Sequence, residues 1–263
     1  MPLLSASAKL GLALRGEPMP GRLWIGTSGY NYGGWRGSFY PPDLPSKDWL
    51  SFYAQHFSTV ELNVTFYRLP RPTSFANWRA QTSEDFVFSL KGHRRITHLK
   101  KLGDVERETR QLFAHAQELK EKLAVVLWQF PPQFKADLGK LRAFCDLLGE
   151  VAPQVRQAFE FRHPSWFVPE VYALLEKQDM ALCAVDAPDW PSGEQPTADF
   201  AYVRFHGRAD LYFYTYSRDE LGEWGRRISS WLRQNVNVFS YFNNTGGDAL
   251  KNAKELLGLI THA

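Results

Sequence analysis

Eight short runs rich in aromatic and β-branched residues alternate with helical patterns along this 263-residue chain, and that alternation limits the fold more than any other feature. The runs are Leu23–Tyr30, Thr59–Tyr67, Phe86–His93, Leu123–Phe130, Arg156–His163, Ala181–Ala187, Phe200–Gly207 and Val236–Asn244. Helical patterns lie near Lys47–Phe57, Ser74–Gln81, Val105–Glu121, Leu138–Glu150, Pro169–Gln178, Arg218–Gln234 and Ala249–Ile260. A helix between successive strands carries the chain back to the starting edge, so the strands pair in parallel. Eight such units in about 240 residues predict a closed (β/α)8 TIM barrel, an α/β fold, rather than an open sheet. Gly26-Thr27-Ser28-Gly29 is not the glycine pattern that would mark an open dinucleotide-binding sheet. Pro188–Asp199 holds three prolines and no periodicity, so an irregular loop is expected in place of the sixth helix. Ser217 and Glu220 form a capping box at the start of the seventh helix. Met1–Arg22 reads as an N-terminal extension and residues 23–263 as one domain.

Composition narrows the partners. The chain has 31 basic and 28 acidic residues, and a balance of +3 does not by itself imply nucleic acid. No apolar run approaches the roughly 20 residues that span a bilayer, so no membrane partner is expected. Cys145 and Cys183 fall in apolar patterns on different elements and are expected as free, buried thiols in a reducing cytoplasm. Aromatic residues make up 15% of the chain, which suits either a bulky core or platforms for sugars and bases.

Side chains alternate across a strand, so each run has an inward and an outward row. The inward rows bring polar groups together: Ser28 and Tyr30, Glu61 with Asn63, Ser89 and Lys91, Gln129, Glu160 and Arg162, Asp186, Arg204 and His206, and Asn243. Polar groups inside a barrel are costly unless they bond to each other or to a ligand. Most of these fall near the C-terminal ends of strands, where barrel enzymes place their chemistry. Glu61, Glu160 and His206 are the candidate acid/base groups. Tyr30, Asn63, Lys91, Gln129, Arg162, Trp166, Asp186, Arg204 and Asn243 are the candidate substrate contacts. His163-Pro164-Ser165-Trp166 follows the fifth strand on a stiff tether, and Trp166 is expected to cap the barrel mouth over Glu160 and Arg162.

Several blocks resemble one known family. Ile25-Gly26-Thr27-Ser28-Gly29-Tyr30, Trp35 and Phe39-Tyr40-Pro41-Pro42 are similar to the opening of the YecE-like family, also called domain of unknown function seventy-two. The likeness continues through Val60-Glu61-Leu62-Asn63, Thr65-Phe66-Tyr67, Ile96-Thr97-His98 and Gln129-Phe130-Pro131-Pro132. It ends with Glu160-Phe161-Arg162-His163-Pro164-Ser165-Trp166, Arg204-Phe205-His206-Gly207 and Tyr241-Phe242-Asn243-Asn244. Val64 and Ala124-Val125 depart from the family pattern at packing positions. The resemblance implies a TIM barrel of unestablished activity, loosely linked to sugar isomerases and to endonuclease-IV-like barrels.

Three functions are then in play. The first is an enzyme acting on a small sugar, polyol or sugar phosphate, with an anionic group held by Lys91, Arg204 and His206. Gly246-Gly247 would offer backbone N–H groups to a phosphate, although Asp248 competes for them. No cofactor is required in that reading. The second is a metal-dependent hydrolase or isomerase with a divalent ion on Glu61, Glu160, Asp186, His163 and His206, opposed by the neighbouring cations. The third is a non-enzymatic barrel for single-stranded nucleic acid, using Lys91, Arg94, Arg95, Lys100 and Lys101.

Overall fold

A computed structural model describes residues 21–193 and 195–261. The strands are β1 (Leu23–Thr27), β2 (Thr59–Leu62), β3 (Val87–Lys91), β4 (Leu123–Gln129), β5 (Arg156–Glu160), β6 (Ala181–Leu182), β7 (Ala184–Asp186), β8 (Phe200–Phe205) and β9 (Asn237–Phe242). The helices are α1 (Trp49–Tyr53), α2 (Val64–Tyr67), α3 (Pro72–Ala80), α4 (Glu106–Ala116), α5 (Leu138–Val151), α6 (Pro169–Lys177), α7 (Arg218–Arg233) and α8 (Ala249–Thr261). Every strand pair is parallel, as the alternation requires. The capping box of Ser217 and Glu220 opens α7, and the Asp137 side chain accepts from Lys140 N–H at the start of α5.

The ladders run in two sheets, β1-β9-β8-β7 and β2-β3-β4-β5-β6, rather than around one closed cylinder. At one junction β1 and β2 touch through the single parallel bridge between Ser28 and Glu61. At the other the chain changes partners at Cys183, with β6 on β5 and β7 on β8. The loop after β7 explains this break. Thr197 Oγ1 accepts from Leu182 N–H at 2.8 Å, and Ser192 Oγ accepts from Val185 N–H at 2.7 Å. Side chains thus take donors that would otherwise continue a ladder. Among the described residues between β7 and β8 there is no helix, as the prolines foretell.

Two apolar clusters share the strands. Trp24, Leu127, Ala158, Cys183, Phe200, Tyr202, Phe239 and Tyr241 pack with other strand residues and with Ala187, Trp190 and Ala198 of the loop after β7. The alternate row packs against the helices, where Trp128, Phe159, Phe205, Phe242, Leu112, Phe144 and Ile228 join one large core. Both cysteines are free and buried, and burial pushes the Cys145 thiol up to about 12 and Cys183 well above its ordinary value. The second strand is shorter than its pattern suggests. It ends at Leu62, and Val64–Tyr67 turns into a helix that leaves Tyr67 68% exposed. Of the expected extension, Met1 to Pro20 lies outside the described residues. Gly21 and Arg22 are tied down by hydrogen bonds to Leu232 and Asn237.

Candidate functional site

At the C-terminal ends of the strands, inward side chains from both sheets build an ionic floor. Arg204 on β8 lies between two acids. Its Nη2 donates to Glu61 Oε1 at 2.8 Å and its Nη1 to Glu160 Oε2 at 2.5 Å. The remaining carboxylate lone pairs are also engaged. Ser28 Oγ donates to Glu61 Oε1, and Tyr202 OH donates to Glu61 Oε2 at 2.7 Å. Gln129 Nε2 and Arg162 Nε donate to Glu160 Oε1 at 2.6 and 2.9 Å. Below this layer the Tyr241 hydroxyl meets Thr59 and Ser89, each at 2.7 Å. Glu61, Glu160, Arg204 and His206 are 0% exposed.

Electrostatics fix the protonation states of the floor. Burial alone would raise both carboxyl pKa values. For Glu61 it is outweighed by Arg204 and by the hydroxyls of Ser28 and Tyr202, and for Glu160 by Arg204 and Arg162. Both acids therefore stay ionised, and the shift of Glu160 is large. Burial and the adjacent Arg204 push His206 down to about 4, so its imidazole is neutral. Nε2 of His206 lies 3.2 Å from Arg204 Nη1, which can only donate. The ring proton then sits on Nδ1, 3.0 Å from the atom placed as Asn243 Nδ2, so the Asn243 amide is turned over to bring its carbonyl oxygen to that proton. A carboxylate with depressed pKa, saturated lone pairs and no exposure is a poor general base. Glu61 and Glu160 are therefore better placed to position Arg204 and Arg162 than to touch a substrate.

The groups left partly open above the floor are different in kind. Lys91, the last residue of β3, holds its ammonium 4.4 Å from the centroid of the Phe66 ring. Burial and the charge of Arg204 drive its pKa down to about 7, against the opposing pull of Glu160 and Glu61. Its backbone is anchored by Thr65 Oγ1, which donates to Lys91 O at 2.7 Å. The following Gly92 lies against Trp128, whose ring would stand 2.3 Å from any Cβ, so a larger residue does not fit there. Arg162, with an 18% exposed side chain, stacks over Trp190 at 3.8 Å. Asn63 Nδ2 donates to Ser28 Oγ at 2.8 Å, while its buried Oδ1 has no partner. His98 packs edge-on against Phe66 at 4.9 Å, and burial together with Lys91 lowers it to about 4. It rides on a π-helical turn, Arg95–Leu99, in which Lys100 N–H reaches back to Arg95 O at 2.9 Å.

Of the sequence candidates, the structure brings together Glu61, Asn63, Lys91, Gln129, Glu160, Arg162, Arg204, His206 and Asn243. It turns three away. Tyr30 packs in the helix layer with its hydroxyl at Trp78, because Gly29, at φ +92°, breaks the two-residue alternation. Tyr32 comes to the rim instead, donating to Ser28 O at 2.5 Å. Asp186 faces outward, where Trp224 Nε1, Tyr216 OH and Arg208 Nε donate to it at 2.5, 2.9 and 3.1 Å. Trp166 does not cap the mouth. It is 0% exposed, stacked on Phe161 at 4.7 Å and donating to Phe134 O at 2.6 Å within the helix-side core.

Other expectations change as well. His163 caps the turn after β5, its Nδ1 accepting from Ser165 N–H at 3.1 Å. With Asp186 outside, the five proposed metal ligands do not converge, and no three His, Cys, Asp or Glu side chains among the described residues form a metal-holding group. The N–H groups of Gly246 and Gly247 are spent on Tyr212 O and Asn244 O rather than facing a phosphate. Within the basic cluster after β3, Arg95 and Lys100 are already paired with Glu108 at 2.8 and 3.0 Å. Sequence reasoning missed Tyr202, Tyr32 and His98. Tyr202 was within reach of it, two residues before Arg204 on the same strand face.

The fold and site together define a class: an α/β protein of parallel strands with a buried ionic cluster, and partly open basic groups, at the strand C-termini. The chain belongs to the family described as "Protein of unknown function DUF72", which matches residues 24–263. It is 30% identical over 274 residues to the UPF0759 protein YunF of Bacillus subtilis, an alignment covering 90% of this chain and 94% of that protein. It shares 30% identity over 118 residues with the UPF0759 protein YecE of Escherichia coli K12, covering 45% of this chain and 43% of YecE. Among solved structures it superposes on a DUF72 family protein from Thermotoga maritima with TM-score 0.80 and 31% identity, over 90% of this chain and 98% of that one. A DUF72 family protein from Enterococcus faecalis, at TM-score 0.76 and 21% identity over 92% and 96% of the two chains, shares the fold. Among the described residues no helix is long and apolar enough to cross a membrane.

Proposed function

We propose that this protein is an enzyme performing acid/base chemistry on a small, hydroxyl-bearing anion, such as a sugar or polyol phosphate, at the strand C-termini. The observation that carries the reading is the contrast between a saturated ionic floor and the unsaturated groups above it. The two buried carboxylates are balanced by Arg204 and Arg162, so protonated Lys91 leaves the site net positive and suited to an anion. Arg162 would hold the anionic group. Asn63, with its orphaned Oδ1, and Asn243 would orient hydroxyls. Lys91, with a pKa near 7, is the group able to exchange a proton at neutral pH. Glu61, Glu160 and His206 act as positioning residues through Arg204.

The two sheets are read as one barrel. Gly29 N–H donates to Glu61 O at 2.7 Å across the first junction, and at the second β6 runs on into β7 through Cys183, whose N–H donates to Phe159 O of β5 at 2.8 Å. Two buried free thiols suit a reducing compartment, and we assign the protein to the cytoplasm on that ground.

Thermal unfolding with D-ribose 5-phosphate or with D-ribose at equal concentration tests the reading. The phosphate ester should raise Tm and the neutral sugar should not, and Arg162→Met should lose the response while still folding. Equal or absent responses to both compounds would sink the anion site.

A further inference from the structure

We propose that Lys91 is a carbonyl-trapping amine, its Nζ condensing with an aldehyde or ketone carbon of the substrate to form an iminium. The inference rests on the reading of the site as one for a small hydroxylated anion, and it narrows that class to phosphorylated hydroxy-aldehydes and hydroxy-ketones.

The geometry singles out this amine. Lysines close to carboxylates ordinarily pair with them, and Glu61 and Glu160 are near enough to act on the charge of Lys91. Their oxygens are already taken by Arg204, Arg162, Gln129, Ser28 and Tyr202. Among the described residues, Nζ of Lys91 has no ion pair within 4.0 Å, and it lies over the face of Phe66. Two guanidiniums stand nearby, repelling an ammonium and favouring the free base that a nucleophile requires. Neighbouring cations and partial desolvation are the conditions that turn a lysine into a nucleophile. The backbone is anchored: Thr65 Oγ1 donates to the Lys91 carbonyl, and the Trp128 ring packs against Gly92.

The step balances without any oxidant or reductant. The nitrogen lone pair forms a bond to the carbonyl carbon, and the C=O π pair moves to oxygen, which takes up the proton shed by nitrogen. The resulting hydroxyl then leaves as water with one further proton, while the nitrogen pair closes the C=N bond. In net terms an ammonium and a carbonyl give an iminium and water. The iminium can draw in the electron pair of a neighbouring C–H bond, and the proton released needs a neutral base. Solvent water can take it up, whereas His98 on the same Phe66 ring, lowered to about 4, is a weak base at pH 7.

The test is reductive trapping of the full chain at pH 7 with dihydroxyacetone phosphate and sodium cyanoborohydride, which delivers hydride to an iminium. Peptide mass mapping then locates the secondary amine. At pH 7 Lys91 has a free-base fraction on the order of 10³ times that of an ordinary lysine. Labelling at Lys91 should exceed that of any other lysine by about tenfold or more, allowing for its lower intrinsic nucleophilicity. Lys91→Arg, checked for an unchanged unfolding transition, should lose it. Labelling spread evenly over surface lysines, or unchanged in Lys91→Arg, overturns the proposal. A rise in Tm with dihydroxyacetone phosphate but no adduct at Lys91 overturns the iminium and leaves the anion site standing. Neither a shift nor an adduct overturns both.

Discussion

The strands carry one ionic cluster on their inner face and another on their outer face, built from the same kinds of residue. Outside, Asp186 accepts from Trp224, Tyr216 and Arg208, and Arg208 continues to Glu223 at 2.8 Å. Every partner comes from α7 or the segment leading to it, so the cluster fastens a helix to the sheet. Gly207, at φ +108°, lets the chain turn tightly there, with its N–H donating to Tyr216 Oη at 2.9 Å. Inside, Arg204 pairs with both Glu61 and Glu160, but a further cation, Lys91, is left without a carboxylate. The lesson is that charge alone does not separate a site from a fastening. The distinguishing mark is a group that the surrounding pairings leave over.

Three substitutions probe that contrast. The largest effect should come from Arg204→Met, which strands two fully buried carboxylates. Breaking a buried pair by removing one partner costs about 3–5 kcal/mol, and urea unfolding should show a loss of that order. A loss under about 1 kcal/mol would mean that water reaches the floor and that it is not sealed. Asp186→Asn should be milder, about 1–3 kcal/mol, because the amide keeps one acceptor oxygen for donors that were paired with a carboxylate. It should leave the response to D-ribose 5-phosphate intact. If that response disappears, the separation of inner from outer cluster is wrong.

Lys91→Met should change stability least at its optimum, and its signature is a slope with pH. The folded pKa of about 7 lies below the unfolded value near 10.4. Between these values the unfolded chain holds a proton that the folded chain has shed, so wild-type stability rises with pH across that window. Below about pH 7 both states are protonated and the penalty of the buried ammonium is complete. Relative to Lys91→Met, wild type should therefore gain stability from pH 7 to 9.5, as read from urea midpoints. Parallel curves for the two proteins would show that Lys91 is well solvated.

Much of this arrangement is legible in the sequence wherever a strand is long and regular. The inward phase of Glu61, Lys91, Gln129, Glu160 and Arg204 follows from alternation alone, and all of them meet. Legibility fails where the period breaks. Ala181–Ala187 is apolar on both rows apart from Asp186, so nothing in it sets a phase, and the exchange of partners at Cys183 is invisible without the loop that causes it. The positive φ of Gly29 swaps Tyr30 for Tyr32 at the rim. Asn63 reaches the site for a different reason than the one expected. It stands past the end of β2 in helical geometry, at φ −83° and ψ −16°. Trp166 illustrates a further limit: a stiff tether limits where a ring can go, but the aromatic cavity among Phe130, Phe134 and Phe161 decides. The split into two ladders is likewise written in Thr197 and Ser192, hydroxyl residues of a loop with no periodicity to announce them.

The π-helical turn that carries His98 has a consequence for how this segment tolerates change. A π-turn holds one residue more than the α-turn it replaces. Removing a residue from Arg95–Leu99 would let the turn relax to α geometry and change the spacing between His98 and the residues around it. His98 would then leave Phe66, and Leu102, whose N–H closes onto Ile96 O at 3.0 Å, would lose its seat in the core. Leu99, 62% exposed, tolerates exchange, whereas a deletion would move His98 relative to Phe66. In this stretch it is the spacing of the chain, more than the identity of most of its residues, that is under constraint.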